Sequence, residues 1–126
     1  MFTLEEVKYI VFNLGDKIDV SSDSKLYPMF STSTHVFSEG FSIRGSKIHY
    51  ITMDRGQIRK HIESEELGII LYEIFKNITS SLARQFELEH RSKTNDSRRV
   101  WWEKQLELLN EINPKFSEIR KKWKKL

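Results

Sequence analysis

A long stripe of apolar residues constrains the fold more than any other feature of this sequence. From Ser64 onward, apolar side chains recur at about 100° per residue, which predicts one long helix with a single buried face. A second stripe begins near Asn95 or Asp96, and the short polar segment between the two predicts an antiparallel helical hairpin. The stripes are Leu67, Leu71, Ile74, Ile78, Leu82 and Phe86, followed by Trp101, Trp102, Leu108, Leu109 and Ile112.

Shorter signals before the hairpin predict one more helix and a sheet. Thr3 and Glu6 have the spacing of a capping box at the start of an N-terminal helix. Between residues 37 and 62, apolar and polar side chains alternate, which predicts three antiparallel strands. Tight turns that contain Gly45 and Gly56 would join these strands.

Asn113 and Pro114 mark the end of the hairpin, because asparagine favours the N-cap and proline the first position of a helix. The sequence therefore predicts an α+β fold in one domain over residues 1–126. Its elements are an N-terminal helix, a small three-stranded antiparallel β-meander, a long α-helical hairpin and a short C-terminal helix.

Composition excludes several classes of protein. The chain has no cysteine, so it forms no disulfide, thiolate metal site or cysteine nucleophile. No apolar run is long enough to span a bilayer, and the N-terminus lacks the basic region of a secretory signal, so we expect a cytoplasmic protein. Residues 1–80 carry 9 Lys and Arg against 11 Asp and Glu, whereas residues 81–126 carry 12 against 7, so the C-terminal end is basic.

Charged residues cluster where the two helices of the hairpin meet. Helical spacing places Glu89 on the apolar face of the first helix, and Arg98 with Gln105 on that of the second. In a hairpin centred near Thr94 the two charges stand opposite each other, which predicts a partly buried ion pair. Asp96 is expected to cap the second helix. The favoured interpretation is a structural clamp of Glu89, His90, Arg91, Asp96, Arg98, Arg99 and Gln105.

Catalysis and metal binding receive little support from the same cluster. Glu87 and His90 have the Glu-x-x-His spacing of di-iron carboxylate proteins, but those sites need two such motifs and two further glutamates. The sequence marks no nucleophile beside a base and no Gly-rich phosphate loop. His35, His49 and His61 are interpreted as ordinary strand or loop residues. We therefore expect no enzymatic activity, no cofactor and no metal.

The basic C-terminal end offers an alternative function. The segments RRVWW and KKWKK interleave cations with aromatic side chains, as surfaces that stack on nucleic-acid bases do. However, the tryptophans fall on or beside the apolar stripes, where core packing would keep them from bases. A small nucleic-acid-associated protein that uses its basic C-terminal helix is the alternative to a protein-binding function, and no membrane partner is expected.

Three segments in order along the chain carry a resemblance to a known family. They are ITMDRGQIRKH, LGIILYEIFKNIT and FELEHRSKTNDSRRVWWEKQLELLNEINPKF. Together they resemble the immunity protein 63 family of bacterial polymorphic-toxin systems. In that family two strands joined at an Arg-Gly turn come first, and a long helix follows. The signature comes next, and it consists of a His-Arg pair, an Asp-x-Arg-Arg step and a Gln-x-x-Leu-Leu run that ends at Asn-Pro. The matching positions are Arg55, Gly56, Tyr72, Glu89, His90, Arg91, Asp96, Arg98, Arg99, Gln105, Leu108, Leu109 and Pro114.

The resemblance implies a non-enzymatic protein that binds and neutralises a cognate toxin domain in the cytoplasm. Its partner would be the C-terminal domain of the toxin protein. Because the family motif coincides with the predicted clamp, we expect the motif to maintain the fold, and exposed features such as the loop 21–35 to select the partner. Candidate partner-binding residues are Arg55, Lys115, Arg120, Lys121, Lys122 and Lys124.

Overall fold

The computed structural model describes residues 3–30, 39–44, 46–54, 57–91, 93 and 96–124. Within these ranges the predicted α+β fold is confirmed, and no helix there is both long and apolar enough to cross a membrane. The elements are α1 (Leu4–Asp16), β1 (Met29–Phe30), β2 (Glu39–Arg44), β3 (Lys47–Asp54), β4 (Gln57–Ser64), α2 (Leu67–Glu89), α3 (Ser97–Ile112) and α4 (Pro114–Lys124).

The sheet contains the predicted antiparallel meander and one additional strand. Strands β2, β3 and β4 pair in sequence order, and in the backbone register Tyr50 of the central strand pairs with Phe41 on one side and with Ile62 on the other. The two-residue strand β1 pairs with β2 in parallel. The turn-forming residues around β1 predict a loop there, so this strand was not expected. A bulge interrupts the pairing of β3 with β4 between Thr52 and Met53.

Helix α2 is the central element of the core. It packs against β3 and β4 on one side and against α3 on the other. Its buried residues include Ile70, Ile74 and Phe75, which cover a wider arc than a single stripe because two neighbours flank the helix. The helix begins at Leu67 rather than at the predicted Ser64, since β4 continues through Ser64.

The ends of α1 are fixed by local contacts. The predicted capping box is confirmed, because the backbone N–H of Thr3 donates to Glu6 Oε1 and that of Glu6 to Thr3 Oγ1, both at 3.1 Å. Near the other end, the Tyr27 hydroxyl donates to the Val20 carbonyl at 2.9 Å. A methyl group at Gly15 would overlap that hydroxyl, so only glycine allows this close approach.

Candidate partner-binding site

A buried glutamine connects the last three helices. Gln105 has no exposed surface, and its Nε2 donates to the Lys76 carbonyl at 3.0 Å and to Thr79 Oγ1 at 3.3 Å. Its Oε1 accepts from Arg120 Nε at 3.2 Å. One side chain of α3 thereby binds α2 and α4 together, and its own polar atoms are satisfied. The predicted position of Gln105 on the apolar face of α3 is confirmed.

A second hydrogen bond helps to fix the register of the hairpin. Trp101 lies one turn before Gln105 on α3, and its Nε1 donates to the Ser80 carbonyl, one turn after Lys76 on α2, at 3.1 Å. On this register, the residue of α2 that stands level with Arg98 is Ala83.

The predicted ion pair between Glu89 and Arg98 is therefore wrong, because this register does not place the two residues opposite each other. Both side chains are exposed. Glu89 is the last residue of α2, and it accepts a hydrogen bond from Gln85 Nε2 at 2.9 Å within its own helix. Arg98 lies in the first turn of α3.

The carboxylate that α2 buries near its end is Glu87, which is only 5% exposed. Arg91 holds it with two hydrogen bonds, from Nε to Oε1 at 2.8 Å and from Nη2 to Oε2 at 2.9 Å. These hydrogen bonds keep the pKa of Glu87 below its ordinary value. A planar guanidinium fork matches both oxygens, which is the geometry in which a buried carboxylate is tolerated.

The other charged residues of the predicted clamp make local contacts at the helix ends. The ring of His90 stacks on Phe86 with centroids 4.1 Å apart. Asp96 Oδ1 accepts from the Arg98 backbone N–H at 3.0 Å, which confirms the predicted cap of α3. Arg99 Nε donates to Glu103 Oε1 at 2.9 Å on the exposed surface. These contacts stabilise single helices rather than the hairpin.

The six candidate partner-binding cations differ in their surroundings. Arg55 lies outside the described residues, as does the side chain of Lys124. Arg120 is engaged internally, because it donates to Gln105 and its guanidinium lies over the Trp102 ring at 5.1 Å from the centroid. Among the described side chains of α4, the exposed cations are Lys115, Lys121 and Lys122.

A groove of about 520 Å³ lies between the start of α2 and α4. Two aliphatic side chains line it in contact with solvent, Ile69 at 48% exposure and Ile119 at 36%. Tyr72 and Phe116 also line it, with their rings edge to face at 5.6 Å. Sequence reasoning missed this groove, because it forms where α2 and α4 meet and the pattern of neither helix alone reveals that contact. The available signal was that Ile69 is apolar but falls outside the predicted stripe of α2.

The hydroxyl of Tyr72 is buried, and none of the residues that the structure describes pairs with it in a hydrogen bond. Burial is the main cause that raises the pKa of this phenol above its ordinary value. An unsatisfied buried hydroxyl destabilises a fold by roughly 1–3 kcal/mol. The described fold thus leaves exposed aliphatic surface in the groove, and a buried hydroxyl without a described partner on one of the residues that line it.

The chain matches a known protein family. The model of a family described as Immunity protein 63 matches residues 45–124, which are 80 of the 126 residues. The matched region contains β3, β4 and the three helices that Gln105 connects. No curated protein and no solved structure matches the chain significantly.

Proposed function

The chain belongs to the immunity protein 63 family, and from that premise we propose that it binds and neutralises a cognate bacterial toxin domain in the cytoplasm. The family match over residues 45–124 carries this proposal. The inhibitor acts without an enzymatic step or a cofactor, by covering the active site of the toxin or a surface next to it. Its partner is the C-terminal domain of a toxin protein.

We further propose that the groove between α2 and α4 contacts the toxin. Protein interfaces commonly place apolar anchors at the centre and polar residues at the rim. Here Ile69 and Ile119 supply exposed apolar surface, and Lys115, Glu66 and Glu73 also line the groove. Lys121 and Lys122 extend the basic surface along α4. Where α4 meets the toxin, these cations favour an acidic or neutral contact surface, since complementary charge speeds association. Glu66 and Glu73, on the α2 side of the groove, favour a basic one.

The function is tested by a pull-down from source-cell lysate with the tagged full chain, at low salt and at about 0.5 M salt. We expect one toxin domain to be recovered at both salt concentrations, because a packed interface persists after screening has removed long-range attraction. Co-expression of that domain should then be tolerated only by cells that carry this protein. Recovery of nucleic acid that disappears at high salt, with no toxin domain, would instead support a nucleic-acid-associated protein.

The binding surface is tested by paired substitutions on one helix. Ile69→Ser removes an aliphatic side chain from the groove, whereas Leu88→Ser removes one that is 52% exposed near the other end of α2. We expect Ile69→Ser to weaken toxin binding about tenfold or more, as loss of an interface anchor does. Leu88→Ser should bind as the wild type does. Equal affinities for both variants would show that the groove does not contact the toxin. The immunity function itself would still be decided by the pull-down and co-expression tests.

A further inference from the structure

Two histidines and a glutamate meet on one face of β3 and β4. His49 lies directly opposite Glu63, and His61 lies opposite Ile51, two residues along from His49. Because side chains alternate between the faces of a sheet, these positions bring all three side chains to the same face. His49 Nδ1 is 2.9 Å from His61 Nε2 and 3.7 Å from Glu63 Oε2.

These distances resemble those among ligands of a tetrahedral zinc ion. With bonds of about 2.0–2.2 Å, two ligand atoms of such an ion lie roughly 3.3–3.5 Å apart. The distance from His49 to Glu63 is close to this range, whereas the contact between the two histidines is a hydrogen bond and is shorter, so the rings would have to move apart to admit the ion. All three ligand atoms lie within 4.8 Å of one another. Two imidazoles and one carboxylate also form a donor set that zinc commonly takes in proteins.

We propose that His49, His61 and Glu63 form a binding site for a divalent zinc ion, with a fourth position open to water or to a side chain of a partner. His49 is buried and defines the floor of the site, whereas His61 and Glu63 are exposed and leave it accessible from solvent. His49 Nδ1 and His61 Nε2 share a hydrogen bond in the structure, so one of the two atoms carries a proton. Zinc needs a lone pair on both, so its binding would displace this proton from the contact.

A lysine beside the site provides a competing cation. Lys47 Nζ is 3.5 Å from Glu63 Oε1, the oxygen that does not face His49. The carboxylate can therefore bind zinc through Oε2 while Oε1 stays near the lysine. The site does not depend on the proposed toxin binding, because the register of two strands alone creates it.

The test is isothermal titration of the full chain with zinc chloride at neutral pH. His61→Gln and Glu63→Gln each remove one exposed ligand, whereas Glu65→Gln removes the same charge as Glu63→Gln from a residue that follows the last residue of β4. We expect the first two variants to bind zinc at least about tenfold more weakly than the wild type, since even residues behind the ligands contribute that much. Glu65→Gln should bind as the wild type does.

Thermal unfolding provides a second readout and checks that the variants fold. Zinc should raise the melting temperature of the wild type and of Glu65→Gln, but not that of His61→Gln. Absence of zinc binding by the wild type, or equal binding by all variants, would overturn the proposal.

Discussion

An uncharged amide can lie between packed helices at a lower free-energy cost than an ion pair, because it has no net charge to desolvate. The side chain of Gln105 ends in such an amide, and both its nitrogen and its oxygen form hydrogen bonds. Its nitrogen binds a carbonyl and a hydroxyl of α2, and its oxygen binds the guanidinium of Arg120 on α4. A shorter side chain would not reach both helices, and an apolar one would leave the Lys76 carbonyl and Arg120 without these contacts.

Replacement of Gln105 by methionine keeps the length of the side chain and removes its hydrogen bonds. We expect the free energy of unfolding, measured by urea denaturation, to fall by about 1–3 kcal/mol, because polar groups of the neighbouring helices lose their buried partner. Arg98→Ala is the matched control on the same helix. It should change the stability by no more than about 0.5 kcal/mol, since this arginine is exposed. A methionine variant as stable as the wild type would contradict the role given to the amide.

At the scale of helices, the ends could be predicted from the sequence, because a cap is formed by residues only a few positions apart. The capping box of Thr3 and Glu6 and the cap at Asp96 are both present. The predicted cap at Asn113 is also confirmed, since its Oδ1 accepts from the Lys115 backbone N–H at 3.0 Å. Each of these signals lies within one helical turn, so no knowledge of the tertiary fold is needed.

Contacts between elements could not be predicted as well, because they depend on register. The pattern of α2 and α3 indicates which faces are apolar but does not fix how far one helix slides along the other. The hydrogen bonds from Trp101 and Gln105 to α2 decide that. For the same reason the approach of His49 to His61 follows from the pairing of β3 with β4, and the spacing of the two histidines along the chain does not reveal it.

The cap of α3 gives a prediction at this scale. Asp96→Ala removes the acceptor for the Arg98 backbone N–H and the negative charge near the positive end of the helix. We expect a loss of about 1 kcal/mol in the free energy of unfolding. Asp96→Asn is the control, because asparagine caps as well as aspartate does, so it should retain most of the stability. If urea denaturation gave the same loss for both variants, the charge rather than the cap would be the cause.

For the whole molecule, the difference in protonation between the folded and unfolded chain sets how stability depends on pH. Burial, aided by the charge of Asp16, raises the pKa of Tyr27 from 10.0 to about 12. Below pH 10 this phenol is protonated in both states and adds no pH dependence. Between pH 10 and pH 12 the unfolded chain releases the proton first, so the free energy of unfolding falls as the pH rises.

We therefore expect an alkaline loss of stability to which Tyr27 contributes on the order of 1–2 kcal/mol. Urea denaturation at pH 9 and at pH 11.5 measures it, with Tyr27→Phe as the control. Phenylalanine keeps the ring that packs edge to face on Phe12 at 5.0 Å but has no proton to release. The variant should be less stable at pH 9, because it lacks the hydrogen bond to Val20. It should also lose less stability than the wild type on going to pH 11.5. Equal losses for the two proteins would show that other groups, among them the buried phenol of Tyr72, govern alkaline unfolding.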